Sequence, residues 1–279
     1  EISACLVGSE MCIRDSRPRG DDPPSTPRRG ASSANIKFAL AACAVLAAYN
    51  NVIGAQAWHR RWYAPLNAGA AGAALAAAGA GGLTARDLGL GPGAWRPGRL
   101  GSGLAAATAA GWVVAATVPA TRRLLNDKRI TNLNGRELAY QVAFRIPVGT
   151  VLWEEVAFRG VLQAALRRVM PEPAAIAVAS GVFGAWHIRP TAAALRVNGL
   201  AGDRRHAAAR LAAGVAVTAA AGALFACLRA RSGSLTAPVL LHLATNCGGL
   251  IVAWTVARET GVSAGRPGGA GAAGRAVPR

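Results

Sequence analysis

The chain has 279 residues, of which 52% are hydrophobic and 16% charged, and its formal net charge is +18. Soluble domains carry about 25% charged residues, so this composition argues against an ordinary soluble protein. A nucleic-acid-binding protein would cluster its arginines on one face or among exposed aromatic residues. Here they lie between apolar runs, as at residues 60–61, 122–123 and 204–205, where cations contact lipid headgroups. The composition therefore predicts membrane lipid as a partner and no nucleic acid.

The two ends of the chain differ in composition from its middle. Residues 1–16 do not share the Ala, Gly and Arg richness of the central region and resemble a translated sequencing-adapter artefact, while residues 17–35 are rich in Pro, Arg and Ser. Residues 261–279 consist largely of Gly, Ala, Pro and Arg. We expect 1–35 to be an artefactual or disordered segment and 261–279 a disordered tail.

Between these ends the sequence predicts an all-α, polytopic transmembrane helix bundle of about seven spans. Runs of roughly 18 to 26 apolar residues are long enough to cross a bilayer core. We assign residues 36–136 to N-terminal transmembrane helices and 137–260 to a catalytic membrane domain. The candidate spans are 38–57, 64–85, 100–121, 211–228 and 232–257, together with 140–166 and 172–188, which charged motifs interrupt.

Two adjacent acids, Glu154 and Glu155, stand inside the segment 140–166. An ionisable group at membrane depth costs roughly 2.5 to 3.5 kcal/mol on insertion scales, which makes both functional candidates. In a helix, Glu155 and Arg159 are four residues apart and pair on one face. Glu154 lies about 100° around the helix, away from that arginine, and is the candidate general base. The alternative is a purely structural Glu–Arg pair at a helix end.

A second motif places Phe183 and His187 four residues apart on one helical face. Arg189-Pro190 comes next and ends the span, so His187 is expected near a membrane boundary, where water reaches it. The alternative is a satisfied core histidine, with Phe183 and Trp186 serving only to pack the helix.

The third motif places His242 and Asn246 on one face of the last apolar run. An imidazole and a carboxamide aligned in this way can both donate hydrogen bonds to a developing oxyanion. The alternative is an interhelical hydrogen bond that holds the bundle together. The remaining histidines, His59 and His206, lie beside arginines and are predicted to be solvated.

In the order EExxxR, FxxxH and HxxxN, these motifs resemble the CPBP family (CAAX protease and bacteriocin-processing, or Abi) of intramembrane endopeptidases, which includes type II CAAX prenyl proteases. The resemblance covers about residues 137–250. It implies that Glu154, with His187, activates a water for attack on a peptide carbonyl. It also implies that His242 and Asn246 stabilise the tetrahedral oxyanion.

The resemblance further implies that Glu155 and Arg159 hold the site together. The family is usually labelled metalloprotease, and Glu154, His187 and His242 form a ligand set that suits Zn²⁺ with one open position. These three lie on separate helices without an HExxH pair, which favours a glutamate-dependent mechanism without an obligatory metal. Zn²⁺ therefore stands as a candidate cofactor rather than a required one.

We predict an intramembrane endopeptidase whose partners are membrane lipid and a peptide or membrane-protein substrate. Richness in Ala, Gly and Arg is typical of bacteria with GC-rich genomes, which predicts a multi-pass protein of the plasma membrane. The alternatives are a non-catalytic scaffold or bacteriocin-immunity protein of the same fold, and a small transporter. A transporter would show counter-ion pairs spread over several helices and broken helix repeats, and the sequence has neither.

Overall fold

The computed structural model of the protein describes residues 32–122, 125 and 127–264, and all regular structure in these ranges is helical. The α-helices are α1 (Ser33–Val52), α2 (Ala57–Arg61), α3 (Tyr63–Ala80), α4 (Gly98–Thr117), α5 (Pro119–Arg122), α6 (Lys128–Thr131), α7 (Gly135–Tyr140), α8 (Gln163–Arg167), α9 (Glu172–Trp186), α10 (Ile188–Val197), α11 (Arg204–Ser232) and α12 (Thr236–Ala264). The predicted all-α class is confirmed.

The predicted terminal segments lie mostly outside the described residues. Helix α1 begins at Ser33, just inside the predicted segment 1–35, and α12 ends at Ala264, just inside the predicted tail 261–279. Nothing further is described of residues 1–31 or 265–279.

Helices occupy all seven of the predicted spans, but a helix crosses a membrane only if it is long and apolar enough. Within the described ranges, three helices are long and apolar enough to cross a bilayer, namely Gly98–Thr117, Arg204–Ser232 and Thr236–Glu259. The prediction of about seven spans is therefore not confirmed by length and hydropathy. The other predicted spans form shorter or more polar helices, such as the 18-residue α3.

Two π-helical segments, Gln141–Leu152 and Glu155–Leu162, connect α7 to α8. Pro147 lies inside the first and has no N–H to donate, so the regular backbone hydrogen bonding of an α-helix is interrupted there. All eight residues of the second segment are buried, so it is the central element of the bundle. Departures of this kind are frequent at functional sites, and the acidic motif falls at the junction of the two segments.

Small residues let the helices approach closely around this central segment. Helix α9 packs against α11 and α1, and α12 packs against α4 and the first π-helical segment. A Cβ atom at Gly222 would lie 3.0 Å from the Phe183 ring, and one at Gly101 would lie 2.9 Å from Ala237. Gly233, with φ of 66°, ends α11 in the left-handed conformation and allows the tight turn into α12.

Much of the outer surface is apolar. Leu40, Val113 and Val217 are each at least 60% exposed, on α1, α4 and α11. Two tryptophans are also exposed, Trp62 (58%) directly before α3 and Trp95 (77%) in the loop before α4. A surface of this kind is suited to lipid rather than to water.

The prediction that His59 is solvated is wrong. His59 is 1% exposed, and its Nε2 lies 3.0 Å from Asn67 Oδ1 and 3.2 Å from the Tyr49 hydroxyl. Asn67 in turn donates to the Gly149 carbonyl oxygen at 2.7 Å. The neighbouring arginines Arg60 and Arg61 are exposed, and their charge was the reason for predicting that His59 is solvated too. The histidine, however, faces the opposite side of the short helix α2. His206 is exposed, as predicted.

Candidate active site

A buried carboxylate lies at the centre of the site and accepts hydrogen bonds from two side chains. Glu155 is fully buried, and its Oε1 accepts hydrogen bonds from Arg159 Nη1 and from His242 Nδ1, both at 2.8 Å. The predicted ion pair within the acidic motif is thus present, and it also binds the third motif on α12. Charge-assisted bonds of this length are among the stronger contacts in a protein interior.

The Arg159 guanidinium is enclosed by aromatic rings as well as by its carboxylate. It lies 4.2 Å from the ring centroid of Phe183 and 4.9 Å from that of Phe225, which stabilises the cation through its attraction to the ring faces. Phe225 also stacks on the His242 ring, with centroids 4.9 Å apart. Phe183, from the second motif, therefore contacts the site through the arginine.

Glu154 is also buried but is bound more loosely. It is 4% exposed, and its Oε1 accepts a hydrogen bond from Trp186 Nε1 at 3.1 Å. Its Oε2 has no hydrogen-bond partner among the described residues and lies 3.9 Å from His242 Nε2. This is too long for a direct hydrogen bond, yet both atoms are within reach of a single water or substrate atom.

The hydrogen bonds of His242 indicate which of its ring nitrogens donates and which accepts. A carboxylate only accepts, so Nδ1 carries the proton that it donates to Glu155, and in the neutral ring Nε2 is an acceptor. Asn246 Nδ2 lies 3.1 Å from that Nε2 and donates to it. Asn246 also lines a cavity of about 650 Å³ together with Thr245 and Arg145, which gives the site an opening towards α12 and the first π-helical segment.

His187, the other histidine of the predicted site, is engaged elsewhere. It lies between α9 and α10, half-buried, with its Nδ1 2.8 Å from the Phe183 carbonyl oxygen and its ring against that of Phe183. In the part of the chain that the structure describes, no hydrogen bond or ion pair joins it to Glu154 or His242. Its predicted role in activating water stays a prediction.

The predicted zinc ligands do not converge in this conformation. Among the described residues, no group of three or more His, Cys, Asp or Glu side chains is arranged to hold a metal ion. Both ring nitrogens of His242 already have protein partners, and His187 faces Phe183. Zn²⁺ stays a prediction from the sequence.

Three residues that support the site were not predicted as part of it. Trp186 stands next to His187 in the second motif and was considered only as a packing residue in the alternative interpretation, whereas its indole N–H donates to Glu154. Tyr49 of α1 stacks on this indole with centroids 5.6 Å apart, so an N-terminal helix supports the site. Phe225 lies in an apolar part of α11 without any motif, and no signal in the sequence could have found it.

Comparison with known proteins agrees with the three motifs. Residues 137–248 match the family model described as type II CAAX prenyl endopeptidase Rce1-like, a range that contains the residues of all three motifs. No curated protein and no solved structure matches the chain. The match confirms the resemblance to the CAAX protease family and, with the three apolar helices, indicates a membrane protein.

Proposed function

We propose that the protein is an intramembrane endopeptidase that hydrolyses a peptide bond in a membrane-associated protein or peptide. The observation that carries this proposal is the buried Glu154 carboxylate, whose Oε2 has no described hydrogen-bond partner and lies 3.9 Å from the Glu155-bound His242. A carboxylate in such a position can accept a proton from a water that His242 also contacts. The family match over residues 137–248 supports a protease rather than another hydrolase.

In the proposed reaction, Glu154 takes one proton from the water, and the hydroxide attacks the carbonyl carbon of the peptide. Asn246 turns its amide from His242 to the oxyanion that forms. Protonated Glu154 then gives its proton to the leaving nitrogen as the C–N bond breaks, which yields a carboxylic acid and an amine.

The family resemblance assigns a second oxyanion donor to His242, whose Nε2 accepts from Asn246 in the described structure. To donate to the oxyanion, the ring must carry a proton on Nε2 as well as on Nδ1.

We further propose that the protein crosses the plasma membrane several times, with spans beyond the three of sufficient length and hydropathy. Helix α3 has 18 residues and is about 27 Å long, close to the thickness of a bilayer core, and the exposed Trp62 comes directly before its first residue. An exposed tryptophan at the end of a helix is typical of a segment that reaches a membrane interface. We therefore count helix α3 among the proposed membrane-spanning helices.

Cleavage of a diverse peptide mixture by the purified protein in lipid, read by mass spectrometry, tests the enzymatic proposal. We expect Glu154→Gln to lower turnover by about 10²- to 10⁴-fold, because the general base is lost while Gln still accepts the Trp186 N–H. Glu172→Gln, the same change at a partly exposed acid on α9, is the matched control and should retain turnover. Equal turnover in wild type and Glu154→Gln would contradict the mechanism.

A further inference from the structure

A basic pocket lies away from the candidate active site, at the ends of α8 and α11 and beside the loop between α3 and α4. Its volume is about 440 Å³. It is lined by four arginines and one aspartate, Arg86, Arg167, Arg168, Arg229 and Asp87. Arginines that face one concave space repel each other unless an anion lies between them.

Arg229 is the deepest of these residues and has no carboxylate partner. It is 4% exposed, and within the described chain its one hydrogen bond is from Nη2 to the Asp87 backbone oxygen, at 2.9 Å. Its Nε has no partner. Gly89 makes room for the guanidinium, since a Cβ there would lie 2.3 Å from Nε. A buried cation that is bound only by a carbonyl oxygen is incompletely compensated.

The nearby acids are already engaged by other groups. Asp87 Oδ2 accepts from the Thr84 N–H at 2.8 Å and from the Thr84 hydroxyl at 2.9 Å, and it lies 3.5 Å from Arg168 Nη2. Glu172 lies 3.2 Å from Arg167. Four guanidinium groups thus face two carboxylates, and the pocket keeps two positive charges in excess. Arg86 is exposed and has no described side-chain partner, so it is available to a ligand.

We propose that this pocket binds a phosphate group, supplied by the headgroup of an anionic phospholipid or by free phosphate. Guanidinium groups bind phosphate oxygens in a bidentate manner, and several guanidinium groups around one pocket suit its charge. The position favours a lipid, because α11 ends at Ser232 and α12 begins at Thr236, the adjacent ends of two candidate spans. Phospholipid phosphates lie at this depth of a bilayer.

Occupancy of the pocket has a structural consequence for the hairpin of α11 and α12, which contributes His242 and Asn246 to the candidate active site. The Leu235 N–H donates to the Gly89 carbonyl oxygen at 3.0 Å, and the Ser234 hydroxyl donates to the Ala94 carbonyl oxygen. The loop that contributes Arg86 is therefore bound to the start of α12. A phosphate held between Arg86 and Arg229 connects this loop to α11 and should raise the thermal stability of the whole chain.

The test uses the full chain purified in detergent. Lipid binding is measured by native mass spectrometry and by melting temperature with phosphatidylglycerol, with phosphatidylcholine and with inorganic phosphate. We expect preferential binding of phosphatidylglycerol, weakened about fivefold in Arg86→Gln, as for the loss of one arginine at a lipid surface. Arg96→Gln removes the same charge from the same loop outside the pocket and should bind as wild type does. Arg86 is exposed, so its variant should fold.

Each outcome decides the proposal. Stabilisation of wild type by inorganic phosphate but not by phosphatidylglycerol, lost in Arg86→Gln, supports the phosphate site with a soluble source. Equal weakening in Arg86→Gln and Arg96→Gln overturns it, because diffuse surface charge then explains the binding. Absence of any preference for phosphatidylglycerol over phosphatidylcholine, together with no effect of inorganic phosphate, also overturns it.

Discussion

Replacement of Glu155 by Gln tests whether the carboxylate at the centre of the site compensates a buried cation. Arg159 is 2% exposed and its described hydrogen bond is to Glu155 Oε1. A glutamine keeps the size of the side chain and one oxygen acceptor for His242. It removes the negative charge, however, and presents an NH₂ group to one of its neighbours.

The expected cost is set by the geometry. Coulomb's law gives about 6 kcal/mol for unit charges 2.8 Å apart at an effective dielectric constant of about 20. Measured losses on removing one partner of a buried pair are about 3 to 5 kcal/mol, because the remaining charge stays desolvated. The aromatic contacts of Arg159 are the same in both proteins and do not offset this loss. We therefore expect Glu155→Gln to destabilise the fold by about 3 to 5 kcal/mol.

Thermal unfolding in detergent, followed by tryptophan fluorescence, measures this change. At about 2 to 4 °C per kcal/mol for a chain of this size, the melting temperature should fall by roughly 6 to 20 °C. The double variant Glu155→Gln/Arg159→Met removes the uncompensated cation and should recover part of the loss. A double variant that is less stable than Glu155→Gln alone would refute the argument from buried charge.

Two other contacts of the protein and its need for a metal can be tested by substitution, pH and chelation. Trp186→Phe removes the N–H that orients Glu154, so turnover should fall by about tenfold with a stability loss of about 1 kcal/mol, measured by peptide cleavage and melting temperature. Burial opposes ionisation of Asp87, but hydrogen bonds from Thr84 and the Arg168 charge outweigh it and hold the pKa of Asp87 below its usual value. Its stabilising effect is then complete above about pH 4 and lost as pH falls through the lowered pKa, so the stability gap between wild type and Asp87→Asn should close below about pH 4. Turnover should survive a zinc chelator, and loss of activity that Zn²⁺ restores would contradict the metal-independent mechanism.

Helices and local pairs were predictable because they depend on short-range sequence. The apolar runs gave helices at the expected places, and the four-residue spacing of Glu155 and Arg159 gave their ion pair. The same spacing gave the contact of His242 with Asn246, although the structure directs the amide to the imidazole rather than to a shared oxyanion position. Local geometry predicts which residues share a face but not which atoms they bind.

Contacts between distant segments were not predictable from the chain. The bond from His242 to Glu155 spans 87 positions, and the bond from Trp186 to Glu154 spans 32. Both depend on how α9 and α12 pack against a π-helical segment that no propensity indicates. The prediction that His59 is solvated failed for a related reason. Its partners Tyr49 and Asn67 come from the helices on either side of α2, so its burial depends on how these helices pack. Each case needed tertiary packing, which one sequence does not specify.

The same network explains why a scaffold and an enzyme would share most of this site. Glu155, Arg159 and His242 are joined by hydrogen bonds that stabilise the bundle, so a protein without catalytic activity would keep them for folding alone. Glu154 differs, because its single described hydrogen bond comes from Trp186 and a glutamine would accept it equally well. A scaffold therefore has no structural need for an acid at this position, whereas a hydrolase requires one to move a proton. Glu154→Gln separates the two functions more clearly than any change to the residues that surround it.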